Sequence, residues 1–205
     1  YMLKVGLTGN IGCGKSTISS LLEMRDYHII DADLVTRDIY EYEDMIERIK
    51  IYFPAAVKNE TVDRKTLGDI VFSDKDKLLT LNRIVHDKIL SIIEMRIALY
   101  SRIHGDGGVV IIDGALLYET DFNKNLDKMI VVYCREDEQL NRILDRDKLT
   151  VPQALSRINS QQDQAEKVKS ADYVVDNSGS IEDLYPKIDA LEEKLLEWIE
   201  EKKSS

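Results

Sequence analysis

Apolar and polar positions divide the chain into five short strands and a series of helices. Leu3, Val5 and Leu7 alternate with Lys4 and Gly6, the two-residue period of a strand, and Ile18, Leu21 and Leu22 then fall at helical spacing. Tyr27-His28-Ile29-Ile30 reads as a second strand. Val109 to Ile112 is continuously apolar, the pattern of a strand buried on both faces. Met129 to Cys134 and Tyr173-Val174-Val175 complete the set. From Leu34 to about Ile103 the pattern is almost wholly helical. Ile46 and Ile49 mark one helix, and Leu78, Leu81, Val85, Ile89, Ile92, Arg96 and Tyr100 trace one face of a long one. Gln139 to Arg146 starts another helix, and Ser156 to Lys169 continues a highly polar one. A final helix carries Leu184, Ile188, Leu191, Leu195 and Trp198 as a single packing stripe.

Strands alternating with helices predict an α/β fold with a parallel sheet. Three parts follow. Residues 1–33, 104–140 and 170–205 form a core. Residues 34–103 are too long for a simple crossover and form a helical insertion where an acceptor substrate could rest. Residues 141–169 have few large apolar side chains and read as a mobile helical lid, with Arg142, Arg146 and Arg157 available to reach over an anion.

The chemistry is signalled first between strand one and helix one. Gly9-Asn10-Ile11-Gly12-Cys13-Gly14-Lys15-Ser16, followed by Thr17, reads G-x-x-x-x-G-K-S in the order strand, loop, helix. Glycines let such a loop wrap its N–H groups around phosphate while the helix aims its positive end at the same point. Lys15 then reaches the β/γ-phosphates of a nucleotide, and the Ser16 hydroxyl holds Mg²⁺. Strand two ends in Asp31-Ala32-Asp33 and strand three in Asp113, at the sheet edge where ligands bind in open α/β folds. Asp31 and Asp33 point the same way if the strand continues, with an N-cap as the structural alternative. Asp113 fits the second acidic position that orders Mg²⁺. Asp63-Arg64 is a further candidate: Arg64 contacts an anionic substrate or forms a surface ion pair with Asp63.

Composition narrows the partners. A net charge of −10 on 205 residues argues against nucleic acid and leaves small anions, which local cations can capture. No leader-like segment precedes the first strand, and no apolar run is long enough to span a bilayer, so the expected location is the cytoplasm. Cys13 and Cys134 are then expected as thiols, Cys13 filling a small-residue place in the loop and Cys134 a core position.

Assembled, these signals resemble the dephospho-coenzyme A kinase family nearly end to end. Leu7 to Thr17 reads L-T-G-N-I-G-C-G-K-S-T, and Ile30 to Asp33 is the family's I-D-A-D step. Asp63-Arg64 with Leu67 and Val71-Phe72, then Leu81-Asn82 with Ile84 and His86, match its insertion. Ala115-Leu116-Leu117-Tyr118-Glu119 stands where the family has P-L-L-F-E. Arg157-Ile158 with Gln161, Ala171-Asp172, and Asn177 with Gly179 match its closing elements. Asn10, Cys13, Asp87 and Ala115 depart from the pattern, and Ala115 bears on the turn that carries Leu116 and Leu117 towards the acceptor.

The resemblance implies a five-stranded sheet in the order 2-3-1-4-5 and transfer of the γ-phosphoryl of ATP to the 3′-hydroxyl of dephospho-coenzyme A. It implies Asp33 as base, Lys15 and Arg142 as charge-neutralising groups, and Ile11 to Thr17 with Arg142 and Asn177 as the ATP site. Arg64, His86, Leu116 and Leu117 join Asp33 at the acceptor, and Ser16 with Asp113 hold Mg²⁺. The expected assembly is a monomer. A nucleoside-monophosphate kinase shares the loop and sheet but not the insertion. A GTPase-like switch needs N-K-x-D after the fourth strand, whereas Asn123-Lys124-Asn125-Leu126 precedes it and ends in Leu.

Overall fold

In a computed structural model that describes residues 2–105 and 107–204, the alternating start of the chain forms strand β1, Leu3–Gly9. The other strands of its sheet are β2 (His28–Asp31), β3 (Val109–Asp113), β4 (Lys128–Tyr133) and β5 (Tyr173–Asp176). All neighbours pair in parallel, in the order 2-3-1-4-5. Interior β3 is buried at every residue, whereas the edge strands β2 and β5 each carry exposed positions. That gradient is why the middle of the sheet reads as a continuous apolar run and its edges do not.

The chain divides into two compact units, one of Tyr1–Asp31 with Leu99–Ser205 and the other of Ala32–Ala98. In the first, α1 (Lys15–Glu23) follows β1 directly. The second is built from α2 (Ala32–Asp38), α3 (Glu43–Tyr52), α4 (Arg64–Phe72) and most of the 30-residue α5 (Lys75–His104). It also holds a feature absent from the helical reading, an antiparallel hairpin of Val57–Lys58 with Thr61–Val62. Its tip, Asn59-Glu60, has positive φ at both residues, the geometry that matches strand twist in a two-residue turn. Strands of two residues are too short to show a period. Asp63 caps α4 by accepting from Thr66 N at 3.1 Å. Asp106 lies outside the described residues.

The polar stretch read as one continuing helix is broken. It forms α6 (Glu136–Asp147), α7 (Val151–Asn159) and α8 (Gln164–Ser170). Lys148 stops α6 in the left-handed region, a Thr150/Gln153 capping box starts α7, and Asp163 caps α8. Helix α9 (Ile181–Lys203) closes the chain, opened by a Ser180/Asp183 capping box.

One core organises the first unit. Leu3, Val5, Leu7, Ile111, Ile130 and Val132 of the sheet pack with Ile18 and Leu22 of α1 and with Leu184, Ile188, Leu191, Leu195 and Trp198 of α9. Each such buried side chain contributes about 1.5–3 kcal/mol, so the stripe on α9 holds that helix to the sheet. With α1 fixed on this face, the loop between β1 and α1 has little freedom.

Candidate active site

The loop predicted from Gly9 to Ser16 is shaped by two left-handed glycines. Gly12 has φ 80° and Gly14 φ 84°, and Gly14 is also the N-cap of α1. Neither place admits a side chain: a Cβ on Gly12 would stand 2.9 Å from Gln139 O, and one on Gly14 would overlap the Asn177 amide nitrogen. The first turn of α1 contains no acidic residue, so none of its own side chains opposes an anion at its positive end. The loop, Ala115, Arg142, Asp145, Arg146 and Gln161 line a cavity of about 800 Å³, a volume suited to a nucleotide.

Lys15 forms an ion pair with Asp113, joining the start of α1 to the end of β3. Asp113 itself lies in register with Leu7 and Asp31, so the carboxyl ends of β1, β3 and β2 form one row. Thus the lysine, which lines the cavity, meets the second acidic position 98 residues away in sequence. The Ser16 hydroxyl and the Asp113 carboxylate are hard oxygen donors, the set that suits Mg²⁺.

Arg142 is placed by three acceptors. Its Nη2 reaches Asn177 O at 2.8 Å, Gly179 O at 3.3 Å and Glu138 at 3.6 Å, and the guanidinium passes beside Gly14. Among the three arginines of residues 141–169, this sorts Arg142 to the loop and Arg146 to the cavity wall, while Arg157 bonds Asp147 at 2.9 Å. Asn177 is buried, and its amide donates to Cys13 O at 2.8 Å. It therefore acts on the backbone of the loop.

A set of buried and half-buried polar side chains, whose roles sequence reasoning missed, braces the same loop. Gln139 Nε2 donates to Ile11 O at 2.8 Å, Gln161 Oε1 accepts from Ile11 N at 2.8 Å, and Asn10 Nδ2 donates to Gln162 O at 2.8 Å. Gln164 Nε2 donates to Gln139 Oε1 at 3.0 Å, while its own Oε1 accepts from Cys13 Sγ at 3.0 Å. Behind them Lys167, fully buried, pairs with Glu119 at 2.7 Å and donates to Ala115 O at 3.3 Å. Thr8 Oγ1 donates to the same carbonyl at 3.2 Å. Lys167 and Thr8 thereby hold the segment after β3. Within it Leu116 is 45% exposed and Leu117 3%, so of the two expected acceptor contacts only Leu116 presents its side chain to solvent.

The remaining candidates lie in the second unit. Asp33 is exposed in the first turn of α2; β2 stops at Asp31, so the strand that was to align Asp31 with Asp33 gives way to a helix. Arg64 does not pair with Asp63. Its guanidinium lies 4.9 Å from the centre of the Tyr40 ring and donates to Arg37 O, and Asp63 instead bonds Lys58 at 3.1 Å. The Thr66 N–H, its hydroxyl and Lys58 hold the Asp63 carboxyl well below the usual carboxylate range. His86 is half-buried on α5.

Comparison with known proteins places this geometry among relatives. Residues 3–183 match the family model described as dephospho-CoA kinase. A protein of that name from Fusobacterium nucleatum is 38% identical over 90% of this chain and 94% of its own. Another, from Carboxydothermus hydrogenoformans, is 40% identical over 87% of each. Among solved structures, dephospho-CoA kinase from Campylobacter jejuni superposes with a TM-score of 0.67 at 30% identity, covering 93% of this chain and 96% of that one. TT1252 from Thermus thermophilus gives 0.76 at 31%, covering 95% and 98%.

Proposed function

We propose how this chain, which belongs to the dephospho-CoA kinase family, divides its reaction among the residues described above. The reaction is ATP-dependent phosphorylation of the 3′-hydroxyl of dephospho-coenzyme A to coenzyme A and ADP, the last step of coenzyme A biosynthesis. Phosphoryl transfer is chiefly positioning and charge stabilisation. The loop from Ile11 to Thr17 binds the phosphates of ATP through its N–H groups, and Asn177 keeps that backbone in shape. Lys15 and Arg142 neutralise charge on the transferring phosphoryl. Asp33 accepts the proton of the ribose hydroxyl as its oxygen bonds to the γ-phosphorus and ADP departs. Arg64, His86 and Leu116 orient the acceptor, with Leu117 supporting Leu116 from the core.

Ser16 and Asp113 would hold Mg²⁺, and Lys15, paired with Asp113 in this structure, would turn to the phosphates. When bound, the ion neutralises charge on the β- and γ-phosphates. The segment 141–169 serves as the lid that excludes water, and residues 34–103 bind the acceptor. The enzyme acts as a cytoplasmic monomer on small molecules, not on nucleic acid.

The observation that carries this reading is that Lys15, paired with Asp113, and Arg142 line one nucleotide-sized cavity together with the Gly12/Gly14 loop. Coupled ADP release by the purified protein with ATP, Mg²⁺ and dephospho-coenzyme A tests it, beside AMP, adenosine and no-acceptor controls. The expected result is release dependent on dephospho-coenzyme A, with coenzyme A as product. Equal release with AMP would overturn the acceptor assignment.

A further inference from the structure

Both cysteines of the chain, far apart in sequence, come together beneath the phosphate loop. Cys13 Sγ lies 3.4 Å from Cys134 Sγ, and both residues are fully buried. Cys13 stands between the two left-handed glycines, and Cys134 follows β4. Gly12, whose carbonyl is 3.8 Å from Cys134 Sγ, has no side chain and lines the cavity of about 800 Å³. Gln164, bonded to Cys13, lines a second cavity of about 600 Å³. A single layer of residues therefore separates the sulfurs from spaces that admit a water-sized molecule.

We infer that Cys13 and Cys134 form a reversible disulfide with a small peroxide, and that the bond switches off nucleotide use by drawing the phosphate loop out of shape. The Cys134 sulfur attacks one oxygen of hydrogen peroxide; an S–O bond forms, the O–O bond breaks and the leaving hydroxide takes the Cys134 thiol proton to become water. Cys13 then attacks the oxidised sulfur, forming S–S and breaking S–O, and its thiol proton completes a second water. Two thiols and one peroxide give one disulfide and two waters, with two electrons passing from sulfur to oxygen. The polarity of the pair suits these roles. The sulfur–sulfur contact with Cys13, with the charge of Arg142, holds Cys134 below the ordinary thiol range against the effect of burial. The same contact and burial push Cys13 up.

Closure costs the loop its shape because a disulfide needs about 2.05 Å between sulfurs, well inside the present 3.4 Å. Cys13 must shift, and its neighbours leave little slack. Its carbonyl is held by Asn177, its thiol by Gln164, and the glycines on either side already sit against Gln139 and Asn177. The effect on activity rests on the nucleotide reading of the loop; the bond itself does not.

The test treats the full chain, reduced and then freed of reductant, with hydrogen peroxide. Thiols are counted in denaturant, the linkage is mapped by peptide mass, and dephospho-coenzyme A-dependent ADP release is followed before and after a dithiol reductant. The expected outcome is loss of both thiols to a Cys13–Cys134 linkage, with activity reduced about tenfold or more and restored by reduction. Cys134→Ala should show equal activity with and without peroxide. Thiols that persist, or that oxidise singly without the linkage, overturn the inference. So does linkage with unchanged turnover. Absence of ATP-dependent transfer in the reduced protein would instead count against the nucleotide reading, and the linkage map stands apart from that result.

Discussion

Replacing Lys167 by Met removes one charge from a pair that the fold has taken out of water. The Lys167 side chain has no solvent exposure and that of Glu119 has 22%, and their charged atoms are 2.7 Å apart. Methionine nearly fills the same volume, so the loss is electrostatic. It leaves a carboxylate whose remaining bond is to Gln162 N at 3.1 Å. Breaking a buried pair from one side costs about 3–5 kcal/mol, and the partial exposure of Glu119 points to the lower end, about 3 kcal/mol. For a chain of this size that corresponds to a fall in Tm of about 6–12 °C. The adjoining Ala115 carbonyl would keep its bond from Thr8 but lose the one from Lys167, so the KM for dephospho-coenzyme A should rise as Leu116 loosens. Thermal melts by circular dichroism of the single variant and of Lys167→Met/Glu119→Gln read the charge term directly. The double variant has no unpaired charge and should recover more than half of the loss. A single variant that melts within about 2 °C of wild type, or a double variant no more stable than the single, would refute the electrostatic account.

Three further expectations concern the loop, the base and pH. Gly14→Ala puts an L-residue at φ 84° and drives its Cβ into the Asn177 amide, so the KM for ATP should rise about tenfold or more, the effect of roughly 1.4 kcal/mol; steady-state kinetics with unchanged KM would remove the need for glycine there. Asp33→Asn should lower kcat by about 10²–10⁴-fold with ATP affinity nearly intact, and near-normal turnover would exclude Asp33 as base. Burial by itself would raise the Asp176 carboxyl, but the Ser178 hydroxyl and N–H, with Lys187 and Arg135 nearby, hold it below the ordinary range. Its stabilising contribution is therefore complete above the unfolded value of about 4 and is lost as pH falls through the lower folded value. The Tm gap between wild type and Asp176→Asn should accordingly be widest near neutrality and narrow in acid; a gap constant from neutrality into acid would contradict that linkage.

What the sequence determined by itself is what short range can encode. The phosphate loop is eight contiguous residues between a two-residue period and a 3.6-residue period, so Gly12, Gly14, Lys15 and Ser16 were legible without any fold. The continuous apolar run of β3 and the single stripe of α9 likewise express burial on two faces and on one. Tertiary structure decided how distant polar residues are spent. Gln139 and Gln164 sit on the helices of the highly polar stretch, yet each is buried against a loop more than 100 residues away in sequence. Lys167 pairs with Glu119 out of water, and Asp63-Arg64, which read as an ion pair or an anion contact, is replaced by the α4 cap. A hydrogen bond or an ion pair leaves no period in the chain, because its partner is chosen by the packing of whole elements. The same holds for Cys13 and Cys134: their residue types suit many places, and only the closing of β1 onto β4 brings the two sulfurs together.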